Sequence, residues 1–434
     1  MNEEFYDDPS FSFSHLCPSI FRFRIRRNDR EKKYRLRSSE WGIAKTRSLH
    51  AGDFNQLTVS PHRLHSGGCF NGGTKDSMPP AVLGFVDDGF AVASIDYRLA
   101  PKDLFPAGMI DAQQAVRFLR ANAAKLGIDS QLIGSYGDSA GGAMATYLGV
   151  ESMPDRNGKL DAYSAPVTAV ADWFGRTDFE RPQPSTGGDC AVTWLGIPRN
   201  ETNRARFHAA SALTYVSKNS APFFIMHGLL DGQVEPMHSA LLAKKLRAAG
   251  VPYEIHFSEK DGHGVKGPEV WGLTRNYFLR MLRHVLVPVA SEPSVRIHHG
   301  ETDESPARFV SGGKNYQCES RPIRGAEKSE FYLSGRQGEK FSYHIPIANG
   351  AYNVKLYFAE CFGKTQGKRV FDVLLDHVVV MPEFDVSRAA GGVDTADSEL
   401  VGITVRSGFI DLSFVSRISG VPATVAGIEI VPAL

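Results

Sequence analysis

Residues 131–149 read QLIGSYGDSAGGAMATYLG. A short apolar run ends at a serine with small residues on both sides of it. Gly137-Asp138-Ser139-Ala140-Gly141 fits the pattern G-x-S-x-G. In that pattern a serine stands at the tip of a sharp strand-to-helix turn, and flanking side chains would collide with the neighbouring strand and helix. The flanks agree. Leu132, Ile133 and Tyr136 suit a short buried strand, and Ala143, Met144, Tyr147 and Leu148 recur at helical spacing. The stretch therefore reads as strand, turn and helix with Ser139 as a nucleophile; a plain flexible turn is the alternative.

Outward from this stretch, strands alternate with helices. FAVASIDYRL (90–99), APVTAVADWFG (165–175), APFFIMHG (221–228) and PYEIHFS (252–258) read as buried strands. Helical spacing runs through 108–125, 237–250, where Gly250 is a natural stop, and 272–286. That alternation predicts a mostly parallel sheet with helices on both faces. Residues 287–295, VPVASEPSV, read as a linker. Beyond it the period becomes two, with EKFSYHIPI, AYNVKLYFAE, RVFDVLLD, LVGITVR, FIDLSFV and TVAGIEIV as short strands of an all-β sandwich. The predicted divisions are 1–64, a basic and poorly specified segment; 65–288, the α/β domain; 289–293, a linker; and 294–434, the sandwich. In the first of these, Phe21, Phe23 and Ile25 alternate with arginine, as a half-exposed strand would.

Composition narrows the function. A net charge of +1 gives no reason to expect nucleic acid, and no apolar run reaches the length of a membrane span. Cys17, Cys69, Cys190, Cys318 and Cys361 form neither a metal-ligand nor a disulfide pattern, so free buried thiols are expected. The start, MNEEFYDDPS, lacks the apolar core of a signal peptide. As written the chain reads as cytoplasmic, and as exported if the true start lies elsewhere.

A serine hydroxyl needs a base within hydrogen-bond reach, and the base needs an orienting acid. The order Ser, Asp, His along the chain recurs where each residue follows its own strand. FFIMHG runs into LLDGQV and brings Asp231 to a strand's carboxyl end; YEIHFS runs into EKDGHG and brings His263 to the next loop. Ligands of open α/β sheets gather at that edge. Asp261 is a rival acid, and His227, His238 and His256 are rival bases. Oxyanion donors are expected from the backbone of Ala140 and, in LHSGGCFNGG, of Gly67 and Gly68.

HSGG, IDYRLAPKDLFPAGMIDAQQAVRFLRANAAKLGID, GDSAGG, DWFGRTDF, HAASALTYVSKNSAPFFIMHGLLDGQV and DGHG, in this order over 65–286, resemble the bifunctional feruloyl/acetyl-xylan esterase branch of α/β hydrolases, near the hormone-sensitive-lipase type. The resemblance implies Ser139 as nucleophile, Asp231 as acid, His263 as base, and oxyanion donors at Gly67, Gly68 and Ala140. It implies ester hydrolysis without metal or cofactor, on polysaccharide or small-molecule esters. Family members carry a strongly apolar strand before the glycine turn, where this chain has FNQLTVSPHRLH. VRIHHG, YHIPIANGAYNVKLYFAE, GKRVFDVLLD, EFDV and VAGIEI resemble malectin-like domains, β-sandwiches of which some bind oligosaccharides. Tyr332, Tyr343, Tyr357 and Phe358 are the candidate sugar-stacking aromatics, against a core role for each; Glu360 reads equally as a structural carboxylate. The expectation is a serine carboxylesterase with a carbohydrate-binding sandwich. Its rivals are a catalytically impaired carbohydrate-binding protein and a prolyl-peptidase-like hydrolase.

Overall fold

The structure, a computed structural model, describes residues 23–26, 56–60, 68–75, 79–150, 160, 162–182, 188–284, 295–298, 310–318, 323–325 and 332–433. They divide into two units, one drawn from Met1–Phe223 and Thr274–Leu286, the other from Phe224–Leu273 and Val287–Leu434.

The first unit begins with β1 (Phe23–Arg26), β2 (Gln56–Ser60), α1 (Gly84–Asp87) and β3 (Phe90–Ile95). It continues through α2 (Ala107–Ala121), α3 (Ala123–Leu126), β4 (Ile133–Asp138), α4 (Ala140–Gly149) and β5 (Ala169–Trp173) to α5 (Cys190–Leu195) and α6 (Arg204–Ala209). Its strands lie in the order β1-β3-β2-β4-β5. β2 runs parallel to both β3 and β4, and β4 parallel to β5; β1 is antiparallel to β3 at the edge. The basic segment before residue 64 therefore supplies two strands, and Gln56–Ser60 takes the place of the apolar strand expected before the glycine turn. β3 is buried along its whole length, as a parallel strand covered on both faces must be. A further helix, α8 (Pro268–Arg283), enters this unit at Thr274. It lies so close to β4 that a Cβ on Gly134 would sit 2.7 Å from a ring carbon of Phe278.

The second unit holds β6 (Phe223–Gly228) from Phe224 onward, α7 (Met237–Ala248), β7 (Tyr253–Ser258) and the sandwich strands. These are β8 (Val295–His298), β9 (Val310–Gln317), β10 (Ser334–Pro346), β11 (Gly350–Ala359), β12 (Val370–Leu375), β13 (Val378–Asp385), β14 (Ala396–Val405), β15 (Phe409–Ser416), β16 (Ala423–Val425) and β17 (Gly427–Pro432), with a short α9 (Val386–Ala389). One sheet runs β13-β12-β15-β10-β16, with β9 also on β10. Its aromatics meet those of β11: Phe358 lies 4.5 Å from Phe384 and 5.9 Å from Phe371, centroid to centroid. The other sheet runs β6-β7-β14-β11-β17-β8. Sandwich and α/β strands thus share one hydrogen-bonded sheet within this unit, which a boundary read near residue 290 does not foreshadow.

The joint is a parallel pairing of β7 with β14, with Gly402 opposite His256 and Thr404 opposite Ser258. Gly402 is required there, because a Cβ would stand 2.1 Å from His256 Nδ1. His256 Nε2 lies 2.9 Å from Thr404 Oγ1, and burial pushes the ring's pKa down to about 3, so it stays neutral at ordinary pH. Around the joint Arg247 pairs with Glu399, and Lys244 Nζ lies 2.5 Å from Glu383 Oε2.

Asp397, on β14 beside Glu399, is pushed up to about 7 by burial and by that neighbouring carboxylate. Its folded value lies above the ~3.9 of an unfolded aspartate. Between those values the folded chain binds more protons than the unfolded one, so stability falls as pH rises through the window. Asp397→Asn is expected to flatten that fall. The check is the melting temperature of both proteins at pH 5 and pH 8; an unchanged difference contradicts it.

The expectation of free thiols is corrected. Cys69 is bonded to Cys190 and Cys318 to Cys361, with Cα separations of 4.8 and 5.7 Å. The partners are 121 and 43 residues apart, so only the folded chain brings them together. Cys17 lies outside the described residues. Among the described residues no helix is long and apolar enough to cross a membrane, and no cluster of His, Cys, Asp and Glu could hold a metal ion.

Candidate active site

Ser139 sits between β4 and α4 at φ 53° and ψ −118°, a backbone conformation that costs a non-glycine residue about 1–3 kcal/mol. The strain is held by its surroundings. Ser139 N–H donates to Trp173 O at 2.9 Å, and Ser139 O accepts from Ala143 N at 3.1 Å, which starts the helix. A Cβ on Gly137 would lie 2.2 Å from Gly141 O; one on Gly142 would lie 2.4 Å from Asp172 Oδ1. Asp172 is fully buried and accepts from Thr146 Oγ1 and Gly175 N, at 3.0 and 2.8 Å. Gly137 and Gly142 thus have the steric cause read from the sequence.

Gly137→Ala is accordingly expected to cost about 3 kcal/mol or more, since the clash is with backbone that cannot step aside. Gly84→Ala, with nothing within 4 Å of the added Cβ, is the control. Denaturant unfolding of both measures the difference, and equal midpoints would contradict the packing.

In the second unit, Asp231 and His263 meet. His263 Nδ1 lies 2.8 Å from Asp231 Oδ2. The Asp231 carboxylate is wholly buried, while the imidazole is 16% exposed. The other carboxylate oxygen, Oδ1, accepts from the backbone N–H of Gln233 and Val234 at 2.8 and 2.9 Å. Behind it lies His227, also wholly buried, whose Nε2 is 3.3 Å from Asp231 Oδ2 and 2.9 Å from Val234 O. A carbonyl oxygen only accepts, so that Nε2 carries a proton. Its Nδ1 is 2.7 Å from Ser239 Oγ. Burial raises the Asp231 pKa; the hydrogen bonds and charges of His227 and His263 outweigh it and hold the carboxyl well below the usual range.

The two stems are laced together. Leu229 N donates to Ser258 O and Leu230 N to Asp261 O, at 2.8 and 2.9 Å. Gly228 permits this approach, since its Cβ would lie 2.3 Å from Asp261 O. Of the rival groups, the Asp261 carboxylate accepts from Ser258 Oγ and Lys266 N, and His256 is buried against Thr404. His238 is buried on α7. His227, read from sequence only as a rival base, supports the acid instead.

Of the expected oxyanion donors, Gly67 lies outside the described residues. Ala140 opens α4, where the first N–H groups have no partner within a helix. Gly68 O accepts from Asn71 N at 2.8 Å. The residues just after Gly68 are fixed firmly. Cys69 is bonded to Cys190, Phe70 O accepts from Ala100 N, and the Phe70 ring stacks 4.0 Å from Trp194. This ties the glycine turn to segment 188–199, which Arg176 and Arg199 brace through Asp189 at 2.9 and 2.6 Å.

The four sandwich aromatics proposed for sugar stacking are corrected: Tyr332, Tyr343, Tyr357 and Phe358 are all at most 5% exposed. Tyr343 packs edge-on to Phe341 and Phe414; Tyr357 packs edge-on to Tyr332 and bonds Glu429. Packing has claimed the ring faces a sugar would need. Glu360 is buried and bonded to Arg369 at 2.6 Å, so it is the structural carboxylate.

The first unit thus offers a serine at a strand-to-helix turn on a parallel sheet, and the second a buried Asp–His pair at the ends of β6 and β7 beside a β-sandwich. Residues 64–246 match the BD-FAE family and residues 294–429 the Malectin domain. The chain therefore combines a BD-FAE segment with a malectin domain. It is 29% identical over 204 residues to Esterase LipC of Mycobacterium tuberculosis, covering 46% of this chain and 50% of that one. To the ethyl acetate hydrolase of Pseudomonas putida it is 30% identical over 230 residues, covering 50% and 65%. Among solved structures it is similar to a truncated carbohydrate esterase from gut microbiota, with 23% identity, a TM-score of 0.48, and 54% and 88% of the two chains covered. The chain thus spans about half the length of LipC.

Proposed function

We propose that the chain is a serine carboxylic-ester hydrolase in which Ser139 is the nucleophile, His263 the base and Asp231 the acid. The single observation that carries this is the buried Asp231 carboxylate, which accepts from two backbone N–H groups and pairs with His263 Nδ1. Such a pair keeps the proton on Nδ1 and directs Nε2 toward a nucleophile as acceptor. The strained turn at Ser139 and the names of the matched relatives, esterases and an ester hydrolase, support the same reading.

In the proposed cycle Ser139 Oγ attacks the ester carbonyl and its proton passes to His263 Nε2. The oxyanion is held by backbone N–H groups of Ala140, Gly67 and Gly68. His263 then returns the proton to the departing alcohol, and water repeats the sequence on the acyl-serine to release the acid. The substrate class we infer is an acylated carbohydrate or a small ester, with the malectin segment as carbohydrate holder on a face other than its buried aromatics. Two disulfides favour work in an oxidising compartment.

The test is turnover of p-nitrophenyl acetate by the purified full chain, with labelling by a fluorophosphonate that reports an activated serine. Turnover with one labelled site per chain is expected; a soluble, folded protein that does neither ends the reading.

A further inference from the structure

The loop that presents His263 runs from the end of β7 to the start of α8, and it is rich in glycine. Gly262, Gly264 and Gly267 lie within it, the last two at φ 129° and 115°. Glycine backbone loses more freedom on ordering than any other. A catalytic imidazole must nonetheless be placed closely, since a displacement of about 1 Å can cost on the order of a hundredfold in rate. Something has to hold the loop besides its own sequence.

We infer that Arg406 does so: it is a positioning residue through which the malectin segment fixes the histidine loop. This rests on the reading of His263 as the base. Arg406 follows β14, the strand paired with β7. Its Nη2 lies 2.5 Å from Lys266 O, 2.9 Å from Glu269 Oε1 and 3.5 Å from Asp261 Oδ2. Asp261 stands two residues before His263 and Lys266 three after it. One guanidinium therefore ties both stems of the loop to each other and to the first turn of α8.

The turn that carries Arg406 is itself held. Glu259 N donates to Thr404 O at 3.1 Å, and Glu259 Oε2 accepts from Arg406 N and Ser407 N at 2.7 and 3.0 Å. The clamp closes from side chain and backbone together. Asp261 Oδ2 also takes Ser258 Oγ at 2.5 Å and Lys266 N at 3.2 Å, so the same oxygen gathers the loop from three directions. All three acceptors meet the one nitrogen Nη2, whose two N–H groups serve the nearer oxygens of Lys266 and Glu269 while Asp261 completes the ion pair; a lysine would bring a point charge on a flexible stem. Arg406 acts through the loop and takes no part in the proton transfers.

The experiment compares Arg406→Ala and Arg406→Lys with the wild-type full chain on p-nitrophenyl acetate, with melting temperatures alongside. For Arg406→Ala we expect kcat to fall about tenfold, KM to change less than twofold, and the protein to remain folded at the assay temperature. Arg406→Lys should lie between, about threefold down. A folded Arg406→Ala with wild-type kcat overturns the inference, as does a loss that appears in KM alone. Should the alanine variant fail to fold, the lysine variant decides: reduced kcat at unchanged KM supports the clamp, and wild-type kcat overturns it. A wild-type chain without esterase activity is a different failure, that of the proposed function itself.

Discussion

Replacing Ser139 with alanine is expected to abolish ester turnover while leaving the fold intact. The loss should be about 10⁴-fold or more in kcat, since removing the nucleophile of such a set costs about as much as removing the whole set. That corresponds to roughly 5 kcal/mol of transition-state stabilisation. The fold should persist because the groups that lock the turn are backbone: Ser139 N–H to Trp173 O, and Ser139 O to Ala143 N–H. Alanine keeps both. The measurement is the rate with p-nitrophenyl acetate beside a melting curve and fluorophosphonate labelling. A variant that matches the wild type in rate would exclude Ser139 as the nucleophile, and would leave the glycine packing around it as a purely structural device.

Asp231→Asn should be nearly as damaging, about 10³- to 10⁴-fold in kcat. The reason lies in the two ends of the carboxylate. Oδ1 is committed to the N–H groups of Gln233 and Val234. In the variant that position must remain an acceptor, so the amide NH₂ is forced toward His263 and His227. An NH₂ donates, and His263 Nδ1 must then accept. The imidazole proton moves to Nε2, and a protonated Nε2 cannot take the serine proton. The fold should survive, because the backbone bonds to Oδ1 persist. In the wild type the Asp231 pKa is held below its unfolded value, so its contribution to stability is present above about pH 4 and lost as the pH falls further. The variant should lack that acid dependence. Kinetics at neutral pH and melting at pH 3 and pH 6 check both statements; undiminished turnover in the folded variant would remove Asp231 from the mechanism.

Much of the first unit and of the candidate site was legible because steric need writes itself into composition. Gly137 and Gly142 are glycine since the backbone and Asp172 leave no room, and the pattern around Ser139 announces as much. Asp231 and His263 could be found because each follows a buried strand in a fixed order. What stayed hidden depends on partners far along the chain. The role of His227 comes from burial against Asp231, and a histidine in an apolar strand carries no mark of that. Arg406 reaches a loop some 140 residues earlier, and no local pattern signals it. The cysteines are of the same kind.

The sandwich aromatics illustrate a further limit. Consecutive strand residues point to opposite faces, so Tyr357 and Phe358 invite the reading that one is exposed. At this end of β11 both faces are in fact covered. Phe358 turns toward Phe371, Phe384 and Phe414, and Tyr357 packs with Tyr332, Ala359 and Ala426. Alternation in the sequence marks a strand; whether its second face meets water is decided by segments elsewhere.

The pairing of β7 with β14 also bears on how such a gene can change. Hydrogen bonds between strand backbones are indifferent to side chains, yet an unpaired row of them invites association with other molecules. A crossover that severed the coding sequence in the 285–294 stretch would turn β7 into an open border of its sheet. Selection would then act against the halves separately, and the BD-FAE and malectin segments would be inherited as one piece.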